Sequence, residues 1–326
     1  MKKSTVICLI VAAALMLVGV LLFTTAMAAT DFNFASGFNT AKYDTASYEI
    51  TDEFDSISIN TDTADINILP ATDGKVKVLC FEQENLAHEV TVEDGTLKVK
   101  LVDGRRWFEH ISFFNLHSPM INVYLPESEY ATLSVDADTS DVDVAREFSF
   151  ESVDIKVTTG DVKCYASASA ALKIKASTGR VAIEDLSAGS VDITTTTGSV
   201  RASRITCEGD FKVGVSTGKT KLSDVTCKNL ISTGSTGDIT LSSVIATERF
   251  DIERSTGDVN LEACDAASLI ILTDTGEVEG SLLSDKVFVV RTDTGDIDVP
   301  KTTSGGICEI TTDTGDVEIY IKLYIK

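Results

Sequence analysis

Thr158-Thr159-Gly160-Asp161-Val162 is the first of nine copies of one short phrase, and Asp313-Thr314-Gly315-Asp316-Val317 is the last. The glycines between them fall at 179, 198, 218, 237, 257, 276 and 295, so every interval is 19 or 20 residues. A fixed period of that size marks stacked units, each unable to bury its apolar face alone. Counted from the glycine, apolar residues recur at −7 (Val153 to Cys308), −5 (Ile155 to Ile310), +2 (Val162 to Val317) and +4 (Cys164 to Ile319). A spacing of two is the period of a half-buried strand. The small or polar residues Ser232, Thr220, Gly280 and Ala202 interrupt these columns.

Each repeat therefore reads as strand, Thr-Gly corner, strand and return. Successive coils stack about 4.8 Å apart as parallel sheets around an apolar interior. Each buried aliphatic side chain contributes about 1.5–3 kcal/mol to that interior. Parallel crossovers are right-handed, so the expected fold is an all-β, right-handed, single-chain parallel β-solenoid (β-helix). Glycine supplies a positive φ at the corner that a β-branched residue adopts only at a cost. The Thr before each glycine forms a ladder suited to a strand end. A flat ligand-binding or ice-binding face is the alternative, but a bend beside glycine disfavours it.

Lys2 and Lys3 precede the run 6–23, eighteen residues without a polar side chain. At 1.5 Å per residue the run spans about 27 Å, close to a bilayer hydrocarbon core. This favours an uncleaved transmembrane helix within residues 1–30, with the N-terminus cytoplasmic and the solenoid extracellular. A cleaved signal peptide ending near Ala26-Met27-Ala28 is the alternative, although its apolar core is normally about 7–15 residues. Residues 31–53 read as a stalk. Residues 54–132 hold a degenerate first coil, with Ala64 in the glycine's place, and an antiparallel insertion made of 76–78, 90–92 and 97–101. Residues 133–326 are the solenoid proper, entered through a second degenerate coil at Ser140.

The insertion carries an aromatic stretch with Trp107, Phe108, Phe113 and Phe114, and Trp107 is the chain's single Trp. It reads either as a recognition patch or as a plug over the open end of the interior. Outward slots hold Ile231, Ile270, Leu272 and Val289, a second candidate partner surface. The chain ends in Ile319-Tyr320-Ile321-Lys322-Leu323-Tyr324-Ile325-Lys326, an edge strand suited to end-to-end self-association.

With 50 acidic and 28 basic residues the formal charge is −22, which argues against nucleic acid and anionic lipid as partners. Outward Lys and Arg residues from Lys156 to Lys221 concentrate in the first four coils, so an anionic cell-wall polymer is a candidate ligand there, the alternative being an ordinary soluble face. The residue after glycine is acidic in six coils, and the last three add an Asp two places before it. A hard cation such as Ca²⁺ would use Asp274, Glu277, Asp293, Asp296, Asp313 and Asp316. The alternative is a solvated acidic edge, and the calcium-solenoid phrase G-G-x-G-x-D is missing, so no metal or cofactor is assigned. Cys207 and Cys227 share a register and would stack within disulfide reach, although small buried thiols are the default. No nucleophile phrase accompanies the three His residues, and acids recur in every coil, so no catalytic carboxylate pair stands out.

The Thr-Gly-Asp-Val/Ile repeats, the phrase Ser58-Ile59-Asn60-Thr61-Asp62-Thr63-Ala64-Asp65-Ile66 and the strand Val123-Tyr124-Leu125-Pro126 together resemble the bacterial putative-adhesin, β-strand-repeat family. This is a domain-of-unknown-function family common in Gram-positive bacteria, and the likeness covers about residues 40–326. The resemblance implies a membrane-tethered extracellular β-solenoid, with genes often beside PadR-like regulators and hence a link to envelope-stress signalling. It implies no catalytic residues. The expected function is a non-enzymatic, membrane-anchored adhesin or cell-envelope scaffold. The alternatives are a polysaccharide-active enzyme on the same fold and a sensor partner of an envelope-stress regulator.

Overall fold

The computed structural model describes residues 12, 15–21, 24–25, 43–83, 86–103 and 119–322. It divides into two compact units, 1–43 with 105–117, and 44–104 with 118–326. In the first, residues 15–21 are helical. Among the described residues no helix is long and apolar enough to cross a membrane. The greater part of the expected span, residues 31–42 of the stalk, the aromatic stretch and residues 323–326 lie outside the described residues.

The second unit is built of strands. Its amino-terminal part holds β1 (Tyr43–Ile50), β2 (Ser56–Thr61), β3 (Asp65–Pro70), β4 (Val76–Gln83), β5 (Leu86–Glu93), β6 (Thr96–Asp103) and β7 (Met120–Leu125). Next come β8 (Glu129–Thr139), β9 (Val142–Val144), β10 (Ser149–Thr159), β11 (Val162–Cys164) and β12 (Ser167–Ala188). The middle coils are β13 (Val191–Cys207), β14 (Asp210–Thr217), β15 (Thr220–Thr236), β16 (Ile239–Thr256) and β17 (Val259–Cys264). The last are β18 (Ser268–Thr275), β19 (Val278–Leu282), β20 (Lys286–Thr294), β21 (Ile297–Asp298), β22 (Gly306–Thr314) and β23 (Val317–Ile321). They form the expected parallel β-solenoid, with each coil hydrogen-bonded in register to its neighbours, as in Leu172↔Val191 and Val181↔Val200.

The interior is wider than the four apolar columns alone imply. In one circuit Val181, Ile183, Leu186, Ala188, Val191, Ile193 and Thr195 are all buried. Strand alternation carries each pair or triplet inward and breaks between them, so the chain turns three times per circuit. The glycine makes the first turn. The second falls six residues later, where Asp185, Arg204, Asp224, Ser243 and Ala263 have φ between 51° and 55°. A left-handed residue with a Cβ costs about 1–2 kcal/mol, and nothing in the composition of these five announces it. In the coil of Gly276 the second turn comes early. Gly280 takes a φ of 139° and Leu282 slides onto Cys264, which explains why a core column contains a glycine.

At both ends the order in space departs from the order in sequence. Strand β2 pairs in parallel with β6 on one side and β8 on the other, and β3 likewise with β7 and β9. So β6 and β7 add a rung outside the first coil. Antiparallel β5 and β4 then cover β6 and β7, and β1 pairs with β4. Residues 43–50, the far end of the expected stalk, are thus a strand of the cap. At the other end β22 lies between β18 and β20, and β23 pairs with both β19 and β21. The last coil in sequence is therefore next to last in space. Among the described residues the terminal rung is β20–β21, while the expected edge strand of the C-terminus, seen here as β23, is paired along β19.

Candidate functional site

The glycine corners form the most regular surface. Gly218 N–H donates to Thr236 O at 2.8 Å, Gly237 N–H to Thr256 O at 2.8 Å and Gly257 N–H to Thr275 O at 2.9 Å. The Thr residues before the glycines are exposed and in register. In several coils the acidic residue at this corner does a specific job. Its carboxylate accepts the N–H of the equivalent residue in the adjacent coil, as in Asp161 N→Asp141 Oδ1 (2.7 Å), Glu277 N→Asp258 Oδ1 (3.0 Å) and Asp296 N→Asp316 Oδ1 (2.8 Å). Corner amides that face outward are thereby satisfied by carboxylates, a stronger acceptor than a neutral oxygen. The basic residues in the same slot join the ladder. Arg180 Nη2 lies 2.6 Å from Asp161 Oδ2 and Lys219 Nζ 3.0 Å from Asp238 Oδ2. These contacts hold the Asp161 and Asp238 carboxyls below the usual range, chiefly through the side-chain hydrogen bonds from Arg180 and Lys219.

Of the six candidate calcium ligands, Asp316 already spends one oxygen on a corner amide, and Glu277, Asp296 and Asp316 stack in the order 277, 316, 296. Several of the basic outward residues of the first coils are paired as well: Lys156 with Asp136 (3.2 Å), Lys163 with Asp143 (3.9 Å) and Lys212 with Asp210 (3.7 Å). The outward aliphatics do not make one patch. Register places Asp251 between Ile231 and Ile270, and Glu309 between Ile270 and Val289. Apolar exposure collects instead on the last two rungs, on Val289 (55%) and Ile297 (47%) of the terminal one and Ile307 (56%) of the one before it. Trp107, Phe108, Phe113 and Phe114 lie outside the described residues.

Three buried polar constellations were not foreseen. Arg254 is 3% exposed inside the solenoid. Its guanidinium donates to Ser232 Oγ (2.7 Å), Thr220 Oγ1 (3.5 Å) and the Glu253 carbonyl (2.9 Å). Ser232 and Thr220 thus break the apolar columns because they solvate this cation, and Gly234 leaves the room it needs. Burial without a carboxylate lowers the Arg254 pKa to about 10, so it stays charged at neutral pH. At the C-terminal end a cleft of about 710 Å³ is lined by Asp265, Ser284, Asp285, Lys286 and the 304–306 loop. There Lys286 Nζ, itself buried, lies 2.6 Å from Asp265 Oδ1, and Ser284 Oγ donates to the same oxygen. This pair pins the loops at which the coil order inverts.

The third constellation lies in the cap. Along β4 the inward slots are Val78, Cys80 and Glu82, so a carboxylate occupies a place where alternation calls for an apolar residue. His88 of β5 faces it, with Nδ1 3.0 Å and backbone N 2.7 Å from Glu82 Oε2. His88 Nε2 meets Thr61 Oγ1 at 3.0 Å, and the Tyr48 hydroxyl donates to the His88 carbonyl at 3.0 Å. Burial, and then the Glu82 charge, push the Cys80 thiol up to about 12. All six described cysteines are buried free thiols, Cys207 and Cys227 included. The signal for the cap cluster was the spacing Cys80-x-Glu82 on one strand face. Its closure by His88 depended on how β4 and β5 pair.

The sequence matches one family model, described as Toastrack DUF4097, over residues 54–213 and 205–324. Several solved structures resemble the fold, three of which follow. One is titled a putative adhesin from Parabacteroides merdae (14% identity, 73% of this chain and 96% of that chain, TM-score 0.48). Another is a putative adhesin from Parabacteroides distasonis (12%, 74% and 97%, TM-score 0.45). The third is a putative adhesin from Bacteroides fragilis (16%, 86% and 97%, TM-score 0.40). Identities and scores this low give those names no weight for this chain. No curated protein matches the sequence. The matched stretches take in the cap apart from β1, the glycine-cornered coils and the terminal rungs, and the chain belongs to the Toastrack DUF4097 family.

Proposed function

We propose that this chain is a non-enzymatic, membrane-anchored β-solenoid that serves as an adhesin-like binding or scaffold protein on the outer side of the cell envelope. The anchor in this reading is the apolar run 6–23, followed by an exported, strongly acidic ectodomain. One observation carries the binding role. The stretch 104–119 joins β6 to β7 in a rung whose counterparts turn through two or three residues. An insertion of that length, rich in aromatic residues, is longer than a corner needs, and aromatic side chains dominate binding energy at interfaces. The regular coils spend corner carboxylates on amides and cations, as a spacer would.

The test is capture from envelope fractions with the full-length chain as bait, beside a variant in which 105–117 is replaced by a short Gly-Ser link. A partner retained by the first and lost by the second supports the reading. An identical set of partners on both baits removes the insertion as the binding element. Fractionation that leaves the chain free of the membrane removes the anchor.

A further inference from the structure

We propose that Cys80, Glu82 and His88 form a binding site for a zinc-class divalent ion, which clamps the cap hairpin β4–β5. The thiol, a carboxylate oxygen and a ring nitrogen all lie within 4.8 Å of one another. Tetrahedral zinc, with ligand bonds of about 2.0–2.3 Å, sets its ligands roughly 3.3–3.8 Å apart, so rotamer adjustments of less than an ångström per side chain close the set. One sulfur, one nitrogen and one carboxylate oxygen are the donors zinc prefers over calcium or magnesium. A thiolate and a carboxylate around a neutral imidazole carry two negative charges, which a divalent ion cancels in a place where uncompensated charge is costly.

Two further features fit a built site. His88 coordinates through Nδ1, the nitrogen that faces Glu82. Its Nε2 is already held by the Thr61 hydroxyl at 3.0 Å, the outer hydrogen bond that fixes tautomer and ring in metal-binding histidines. Glu82 Oε2 is steadied by the His88 backbone N–H at 2.7 Å. The place in the fold also gives the ion something to do. Among the described residues β4 and β5 pair with each other only through Gln83↔Leu86, while β4 is otherwise bonded to β7 and β1, and β5 to β6. An ion held by Cys80 and Glu82 on one strand and His88 on the other supplies the missing cross-link at the open end of the stack.

The experiment uses the full-length chain in detergent, stripped with a chelator and titrated with Co²⁺ and then Zn²⁺. We expect one equivalent of cobalt to produce a thiolate-to-metal charge-transfer band with tetrahedral d–d absorption, and zinc to displace it. Cys80→Ser should abolish the charge-transfer band. Glu82→Gln and His88→Gln should each weaken cobalt binding by at least about tenfold. Cys207→Ser, in a different coil, should change nothing. Zinc should raise the melting temperature of the wild type and leave that of His88→Gln unmoved. A wild-type chain with no saturable cobalt spectrum and no zinc-dependent melting shift overturns the proposal without recourse to any variant. So does a charge-transfer band that survives Cys80→Ser.

Discussion

Glycine is required at the corner for two independent reasons. Its φ of 124° to 159° across the nine coils lies outside what an L side chain adopts, and the space is already taken. A Cβ on Gly218 would stand 1.5 Å from the Gly198 carbonyl oxygen, which is backbone and cannot move aside without unpairing a rung. Gly218→Ala is therefore expected to destabilise the solenoid by about 3 kcal/mol, measured by chemical denaturation. The neighbouring Asp is replaceable at less cost. Asp161→Ala removes the acceptor of the Arg180 N–H at 2.8 Å and the Arg180 ion pair, an expected loss of about 1 kcal/mol. Asp161→Asn keeps a side-chain carbonyl for the amide, so its loss should be smaller. Equal losses would mean that the ion pair, and not the amide bond, is what the carboxylate contributes.

Between coils, charge pairs supplement the backbone ladder and respond to acid. Asp161, Asp185 and Asp238 have their pKa values lowered, first by hydrogen bonds from Arg180, Arg204 and Lys219 respectively. A carboxyl whose folded pKa is depressed stabilises the fold above its unfolded value of about 3.9, and that contribution disappears as pH falls through the folded value. Melting temperature should thus hold level from pH 7 to about pH 5 and drop below pH 4. An Arg180→Gln, Arg204→Gln, Lys219→Gln chain should show a shallower acid limb. At this scale the sequence was readable where one rule acted alone. The −7, −5, +2 and +4 columns and the glycine corner follow from alternation and φ. The +6 turn was invisible because Asp, Arg, Ser and Ala share no side-chain property that marks a left-handed residue. Ser232, Thr220 and Arg254 were likewise unreadable singly, since each makes sense only once stacking puts the hydroxyls beneath the guanidinium. The cap cluster needed the pairing of β4 and β5, which local pattern does not supply.

For the stacked unit as a whole, nearest-neighbour contact makes coils interchangeable. Excising residues 199–218, one full circuit from after Gly198 through Gly218, should leave a cooperatively folded chain with the same strand content by circular dichroism. Excising 199–208, half a circuit, throws the following inward residues off their columns and should abolish cooperative unfolding. The inverted order of the last two coils has a consequence for how such a chain is made. Once its cap is in place, a polypeptide that emerges amino-terminus first settles layer upon layer only as far as residue 282. The stretch 286–298 appears next, yet the bed it lies on is β22–β23, which has not been synthesised. At about 5–20 residues per second the wait is on the order of seconds, and during it an apolar segment with Val287, Phe288, Val289 and Val290 is left uncovered. A premature stop at residue 305 therefore forfeits two layers where simple winding would forfeit one.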